Sequence, residues 1–124
     1  MHVAAFRSAL RSFLRESELV ARASGLTPQR YLLLLMIKGA PDGREQATVT
    51  ELVERLGLAQ STVTELVRRA EEAGLIEREG SSQDGRVVHL RLTAEGEDRL
   101  AGAFTRHDVE RSRLRQAFTE LDDD

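Results

Sequence analysis

Between Val3 and Ala23 the apolar residues Val3, Phe6, Leu10, Phe13, Leu14, Val20 and Ala21 recur at helical spacing, with Arg7, Arg11 and Arg15 set off from them. This pattern predicts an amphipathic helix. Gly25 ends it, and Thr27-Pro28 starts the next, with Thr as N-cap and Pro at the first helical position. That second helix is expected to run to about Lys38. Its stretch Tyr31 to Ile37 is apolar almost all round, which predicts a helix enclosed by others and places the core there. Gly39 and the turn Pro41-Asp42-Gly43 close it.

Thr48-Val49-Thr50-Glu51 has the form of a capping box, in which the hydroxyl and the carboxylate each satisfy an orphan amide at a helix start. The short helix that follows presents Val49, Leu52, Val53 and Leu56 and stops at Gly57. A new period then begins with Val63, Leu66, Val67 and Ala70. Two short helices joined at a glycine make a helix-turn-helix. Gly74 ends the second of them, Leu75-Ile76 opens an extended segment, and residues 80–85 form a polar loop. Beyond that loop, Arg86 to Leu92 is β-branched and partly alternating, so the two segments read as a hairpin, or wing. Thr93 caps a last helix whose first turn carries Glu95, Glu97 and Asp98, where the positive end of the helix dipole favours them. Leu100, Ala103, Phe104, Val109, Leu114, Ala117, Phe118 and Leu121 continue it as one long helix, in which an interruption near residues 105–108 is left open. The fold class is mainly α with a small β-hairpin.

At 124 residues and 40% hydrophobic, the chain suits one domain with a modest core. Cysteine is absent, which excludes disulfides, thiolate metal sites and thiol redox switches. The longest apolar run falls far short of the ~20 residues that cross a bilayer. No charged segment leads into an apolar one at the start, so the expected location is the cytoplasm, with no membrane partner. The net charge of -3 argues mildly against nucleic acid, but its distribution says more than its sum. Residues 1–44 carry seven basic and three acidic groups (net +4), whereas residues 92–124 carry five and nine (net -4). Packing of the first helix against the last would bring these complementary ends together.

The blocks Glu51-Leu52-Val53-Glu54-Arg55-Leu56-Gly57-Leu58, Ser61-Thr62-Val63-Thr64-Glu65-Leu66-Val67, Gly74-Leu75-Ile76-Glu77-Arg78, Asp84-Gly85-Arg86 and Leu92-Thr93-Ala94-Glu95-Gly96 follow one another in order. From about Leu26 to Leu100 the chain thereby resembles the MarR family of bacterial transcription regulators. The resemblance implies a single domain over residues 1–124, with 1–26 and 94–124 as dimerisation helices and 27–93 as a winged helix-turn-helix. It implies a homodimer that sets its recognition helices in successive major grooves of double-stranded DNA and its wings in the flanking minor grooves. Many members leave DNA on binding small aromatic or phenolic molecules. Four features depart from the family pattern. Ser81-Ser82 stands where an Asp-Pro pair is usual, Ala59 stands where a capping side chain is common, and Glu65 where a basic or polar residue is common. The chain also ends at Asp124, before the usual length of the last helix, which would shrink the dimer interface and leave the first helix a larger share.

On this reading the candidate DNA-binding residues are Gln60, Ser61, Thr62, Thr64, Glu65, Arg68 and Arg86. Gln60 suits a bidentate pair with adenine, Arg68 suits guanine or phosphate, and Glu65 suits cytosine N4. Thr62 and Thr64 suit phosphate or thymine methyl. Arg69 is a phosphate or salt-bridge partner, not a base reader. Arg86 is matched to a narrow minor groove, where the negative potential is enhanced, and Asp84 supports the wing. The plain alternative is a solvated polar helix face and an exposed loop arginine. Phe13, Tyr31 and Met36 are candidates for an effector cleft, with core packing the stronger account of each. Catalysis has little support. His2, His89 and His107 lie far apart without metal-ligand spacing, and there is neither a phosphate-binding glycine loop nor a nucleophile elbow, so no enzyme activity, metal or cofactor is expected. His89 and His107 are expected at the surface. The expected function is sequence-specific DNA binding by a homodimeric repressor, with release by a small-molecule effector left open. The alternative is a winged-helix protein-interaction module with little DNA affinity, which the acidic balance and Glu65 would permit.

Overall fold

The structure, a computed structural model, describes residues 2–80 and 86–123. Its elements run α1 (His2–Ala23), α2 (Pro28–Lys38), α3 (Val49–Leu56), α4 (Gln60–Glu72), β1 (Ile76–Gly80), β2 (Val88–Leu92), α5 (Ala94–Arg106) and α6 (Asp108–Glu120), closed by a 3-10 turn, Leu121–Asp123. A mainly helical chain with one antiparallel hairpin is what the apolar spacing predicts. The chain divides into two compact units, residues 29–100 and residues 1–28 with 101–124.

In the unit of residues 29–100, local chemistry sets the helix ends. Thr48 and Glu51 form the reciprocal capping box at the start of α3: the Glu51 amide donates to Thr48 Oγ1 at 3.2 Å and the Thr48 amide donates to Glu51 Oε1 at 2.9 Å. Gly57, at φ 67, ends α3 in the left-handed conformation that costs glycine nothing. α4 starts without this help, since Ala59 offers no side-chain cap. The core is Tyr31, Leu33, Leu34 and Ile37 of α2, Leu52 of α3, Val63, Val67 and Ala70 of α4, and Ile76, Leu90 and Leu92 of the hairpin. α2 is less enclosed than its composition predicts. Leu32 is 41% exposed, because a helix at 3.6 residues per turn carries one apolar residue past the rim of a core covering only part of its circumference.

The hairpin pairs Ile76 with Leu92 and Gly80 with Val88. β2 thus begins two residues after the predicted Arg86. Ala47 adds a bridge to the other edge of β2, exchanging two backbone hydrogen bonds with Leu90 at 3.0 and 2.8 Å. This ties the segment before α3 to the wing. Lys38 Nζ reaches Glu97 at 2.9 Å and Glu45 at 3.1 Å, and the hydrogen bond to Glu97 is the main reason its pKa is raised. Thr93 links the wing to α5: its hydroxyl donates to the Gly74 carbonyl at 2.6 Å and accepts from the Gly96 amide at 3.1 Å.

In the other unit α1 packs along α6, with Phe6 and Phe118 in tilted ring contact at 6.2 Å. The last helix, read from the sequence as one, is two: the interruption left open near residues 105–108 is present and falls at His107, between α5 and α6. His107 itself corrects the expectation of a surface residue. It is only 2% exposed, stacks on Phe13 with ring centroids 4.2 Å apart, and places Nε2 2.9 Å from the Phe13 carbonyl. A carbonyl only accepts, so Nε2 carries the proton. The imidazole thus bonds a polar atom of α1 while its flat face meets an aromatic ring, which spacing along α6 alone does not reveal.

Candidate nucleic-acid interface

α4 separates its residues cleanly between core and solvent. Val63, Val67 and Ala70 turn inward at spacings of four and three, which leaves Gln60, Ser61, Thr62, Thr64 and Arg68 exposed and Glu65 half-exposed. Six of the seven residues expected to meet DNA therefore lie along one helix: Ser61, Thr62, Thr64, Glu65 and Arg68 turn away from its buried stripe, and Gln60, in line with Val63 and Val67, is exposed as the first residue of the helix. Because Ala59 provides no cap, the first amides of α4 are left for another acceptor, and a helix N-terminus suits an anion such as phosphate. An open hollow of about 340 Å³ is lined by Gln29 at the start of α2 and by Ser61, Thr62, Glu65, Leu66 and Arg69 of α4.

Charges on this helix are already engaged with one another. Arg68 makes a two-pronged contact with Glu65, Nε to Oε2 at 2.9 Å and Nη2 to Oε1 at 2.5 Å, and its remaining terminal nitrogen bonds Glu72. Arg69 Nε meets the same Glu65 Oε1 at 2.9 Å. Hydrogen bonds from Arg68 first, and from Arg69 next, lower the Glu65 pKa to about 2, and the Arg68 pKa is raised in turn. Arg78 of β1 is similarly paired with Glu71 at 2.9 Å, and Arg91 of β2 with Glu79 at 3.1 Å. Sequence reasoning named Glu65 and Arg68 as separate readers and did not pair them. Their spacing of three, and the spacing of four from Glu65 to Arg69 and from Arg68 to Glu72, was the available signal.

Arg86 lies in the same unit, in the turn just before β2, and is exposed. Asp84, the expected wing support, falls outside the described residues. The three proposed cleft residues are split. Phe13 belongs to the unit of α1 and α6, where His107 stacks on it, while Tyr31 and Met36 belong to the other unit. Tyr31 is wholly buried and Met36 is half-buried, with its carbonyl accepting from Arg55 at 3.3 Å, so core packing accounts for Tyr31 without a ligand. Among the described residues no cluster of His, Cys, Asp or Glu could hold a metal ion, and no helix is long and apolar enough to cross a membrane.

The chain is similar in structure to YusO of Bacillus subtilis, at 25% identity over 86% of this chain and 73% of that one, with a TM-score of 0.66. It is also similar to the transcriptional regulator Tm0710 of Thermotoga maritima, at 27% identity over 94% and 83%, with a TM-score of 0.69. A mutant MarR of E. coli complexed with operator DNA shares the fold at 19% identity, over 89% and 77%, with a TM-score of 0.69. No curated protein sequence matches. The MarR family model matches residues 24–87, which takes in α2 through α4 and β1. A match over more than half of the chain, on the elements that carry the exposed helix, makes this protein a member of the MarR family of winged-helix transcription regulators.

Proposed function

We propose that this chain is a sequence-specific double-stranded DNA-binding regulator that works as a homodimeric repressor, with α4 in the major groove and Arg86 at the minor groove. The observation that carries the reading is the two-sided build of α4: a buried stripe fixes the helix, an uncapped N-terminus with Gln60 exposed at its tip faces out, and Ser61, Thr64 and Arg68 occupy the exposed side. The operator complex of the E. coli relative supports the reading. A two-fold dimer calls for a pseudopalindrome with half-sites about 10 base pairs apart.

The test is binding to the duplex upstream of the protein's own gene, read across a salt series. Affinity is expected to fall as salt rises, with Arg86→Ala and Arg68→Ala each weakening binding by about tenfold, within the range of about 1–3 kcal/mol for a specific contact. Unchanged affinity in both variants would remove the assignment. The neutralised arginines of α4 favour a second reading, a winged-helix module that binds protein instead of DNA. Failure of the wild-type chain to bind any duplex even at low salt would select that reading.

A further inference from the structure

Glu65 sits at the centre of the exposed side of α4 and has both carboxylate oxygens occupied. Oε2 accepts from Arg68 Nε, and Oε1 accepts from both Arg68 Nη2 and Arg69 Nε. Arg68 is held from its far side by Glu72 as well. These four side chains carry two positive and two negative charges, so the cluster is neutral where a DNA-binding face would ordinarily be basic. An arginine contributes to duplex affinity by displacing counterions from a phosphate, and a fork already filled by carboxylate oxygens has that interaction to exchange first. A carboxylate on this face also repels phosphate directly.

We propose that Glu65 is a positioning residue that sets specificity: it holds Arg68 and Arg69 away from the phosphates of an arbitrary duplex and yields them only where bases offer its own oxygens donors in return. Cytosine N4, an amino donor in the major groove, is the base chemistry that fits a displaced carboxylate. At such a site the exchange is nearly balanced, since Glu65 gains a donor as the arginines gain acceptors. On a duplex that presents only acceptors to Glu65, releasing the arginines leaves a bare carboxylate facing DNA. The acid thus restrains nonspecific binding while the specific complex keeps its full set of contacts. This inference rests on the DNA-binding reading above.

The experiment measures the affinity of the full chain for a 30-base-pair duplex of random sequence and for its own upstream duplex, across a salt series, with wild type, Glu65→Gln and Glu72→Gln. The two variants change net charge equally, but only Glu65→Gln removes the carboxylate that Arg68 and Arg69 share. Glu65→Gln is expected to bind the random duplex several-fold tighter. Its plot of log affinity against log salt should steepen by about one for each arginine freed, and its preference for the upstream duplex should fall. Glu72→Gln should show the smaller change that charge alone produces. Equal slopes in Glu65→Gln and Glu72→Gln, or weaker random-duplex binding by Glu65→Gln while wild type binds, would overturn the inference and leave the DNA-binding reading standing. Absence of binding by every protein to both duplexes would overturn both. A readout free of DNA checks the geometry: the Arg68 and Arg69 Nε–H signals should exchange slowly with solvent in wild type and fast in Glu65→Gln. Fast exchange in wild type would equally overturn it.

Discussion

Gly96 shows how much one missing atom can decide. A Cβ there would lie 2.1 Å from the Leu75 carbonyl oxygen, which already accepts the Thr93 amide at 3.0 Å, so no side-chain rotation relieves the contact. Gly96→Ala is expected to force apart the start of α5 and the strand entry at Leu75, at a cost of about 1–3 kcal/mol, the usual range for overpacking a filled site. Thermal denaturation of the variant checks this, and a melting temperature equal to wild type would show that the backbone can yield. In the sequence, Gly96 was visible only as the last residue of a family-like block. The reason for glycine there is the approach of a backbone twenty-one residues away along the chain. His107 teaches the same lesson with a polar side chain. Its solvated neighbours on α6 suggest a surface position, and its contact with Phe13 comes from α1 packing beside α6.

Elements, by contrast, are bounded by chemistry within a few residues, and the two helices of the helix-turn-helix differ sharply at their starts. α3 begins on a complete capping box, whereas α4 begins on Ala59 with no side-chain acceptor. Thr48→Ala is expected to destabilise the protein by about 1 kcal/mol, and Ala59→Ser to stabilise it by about the same amount. Chemical denaturation of both variants measures the pair, and a neutral Ala59→Ser would mean that the α4 amides already have a partner of equal strength. Leaving those amides uncapped fits a helix start that meets an outside anion. α4 then gains acceptors on binding that a serine in place of Ala59 would supply beforehand.

For the whole molecule, apolar side chains left in solvent are the main unsettled feature of a single copy. In the unit formed by α1, the end of α5 and α6, Val109 is 68% exposed and Phe118 64%, with Leu14 and Leu19 also on the surface. Exposed apolar side chains of this size suit a surface that another chain covers, and the proposed homodimer through the first and last helices is the occupant. Phe118→Asp is expected to convert a dimer into a monomer in sedimentation equilibrium while the helical signal in circular dichroism is retained. A wild-type chain that sediments as a monomer at micromolar concentration would defeat the dimer proposal.

The order of elements, the ends of α2 and α3 and the missing cap of α4 could all be read from the sequence, which left the break before α6 open. Each depends on residues within about one turn of one another, and backbone sterics and capping chemistry act at that range. Only the tertiary structure determined that Ala47 bridges to Leu90, that His107 is buried on Phe13, and that Leu75 leaves no room for a side chain at residue 96. These depend on which distant segments meet, and a periodic pattern records that a face is buried without recording against what. Glu65 stands between the two cases. Its spacing made several arginine pairings available, and the arrangement of side chains on the folded helix chose to fill both of its oxygens at once.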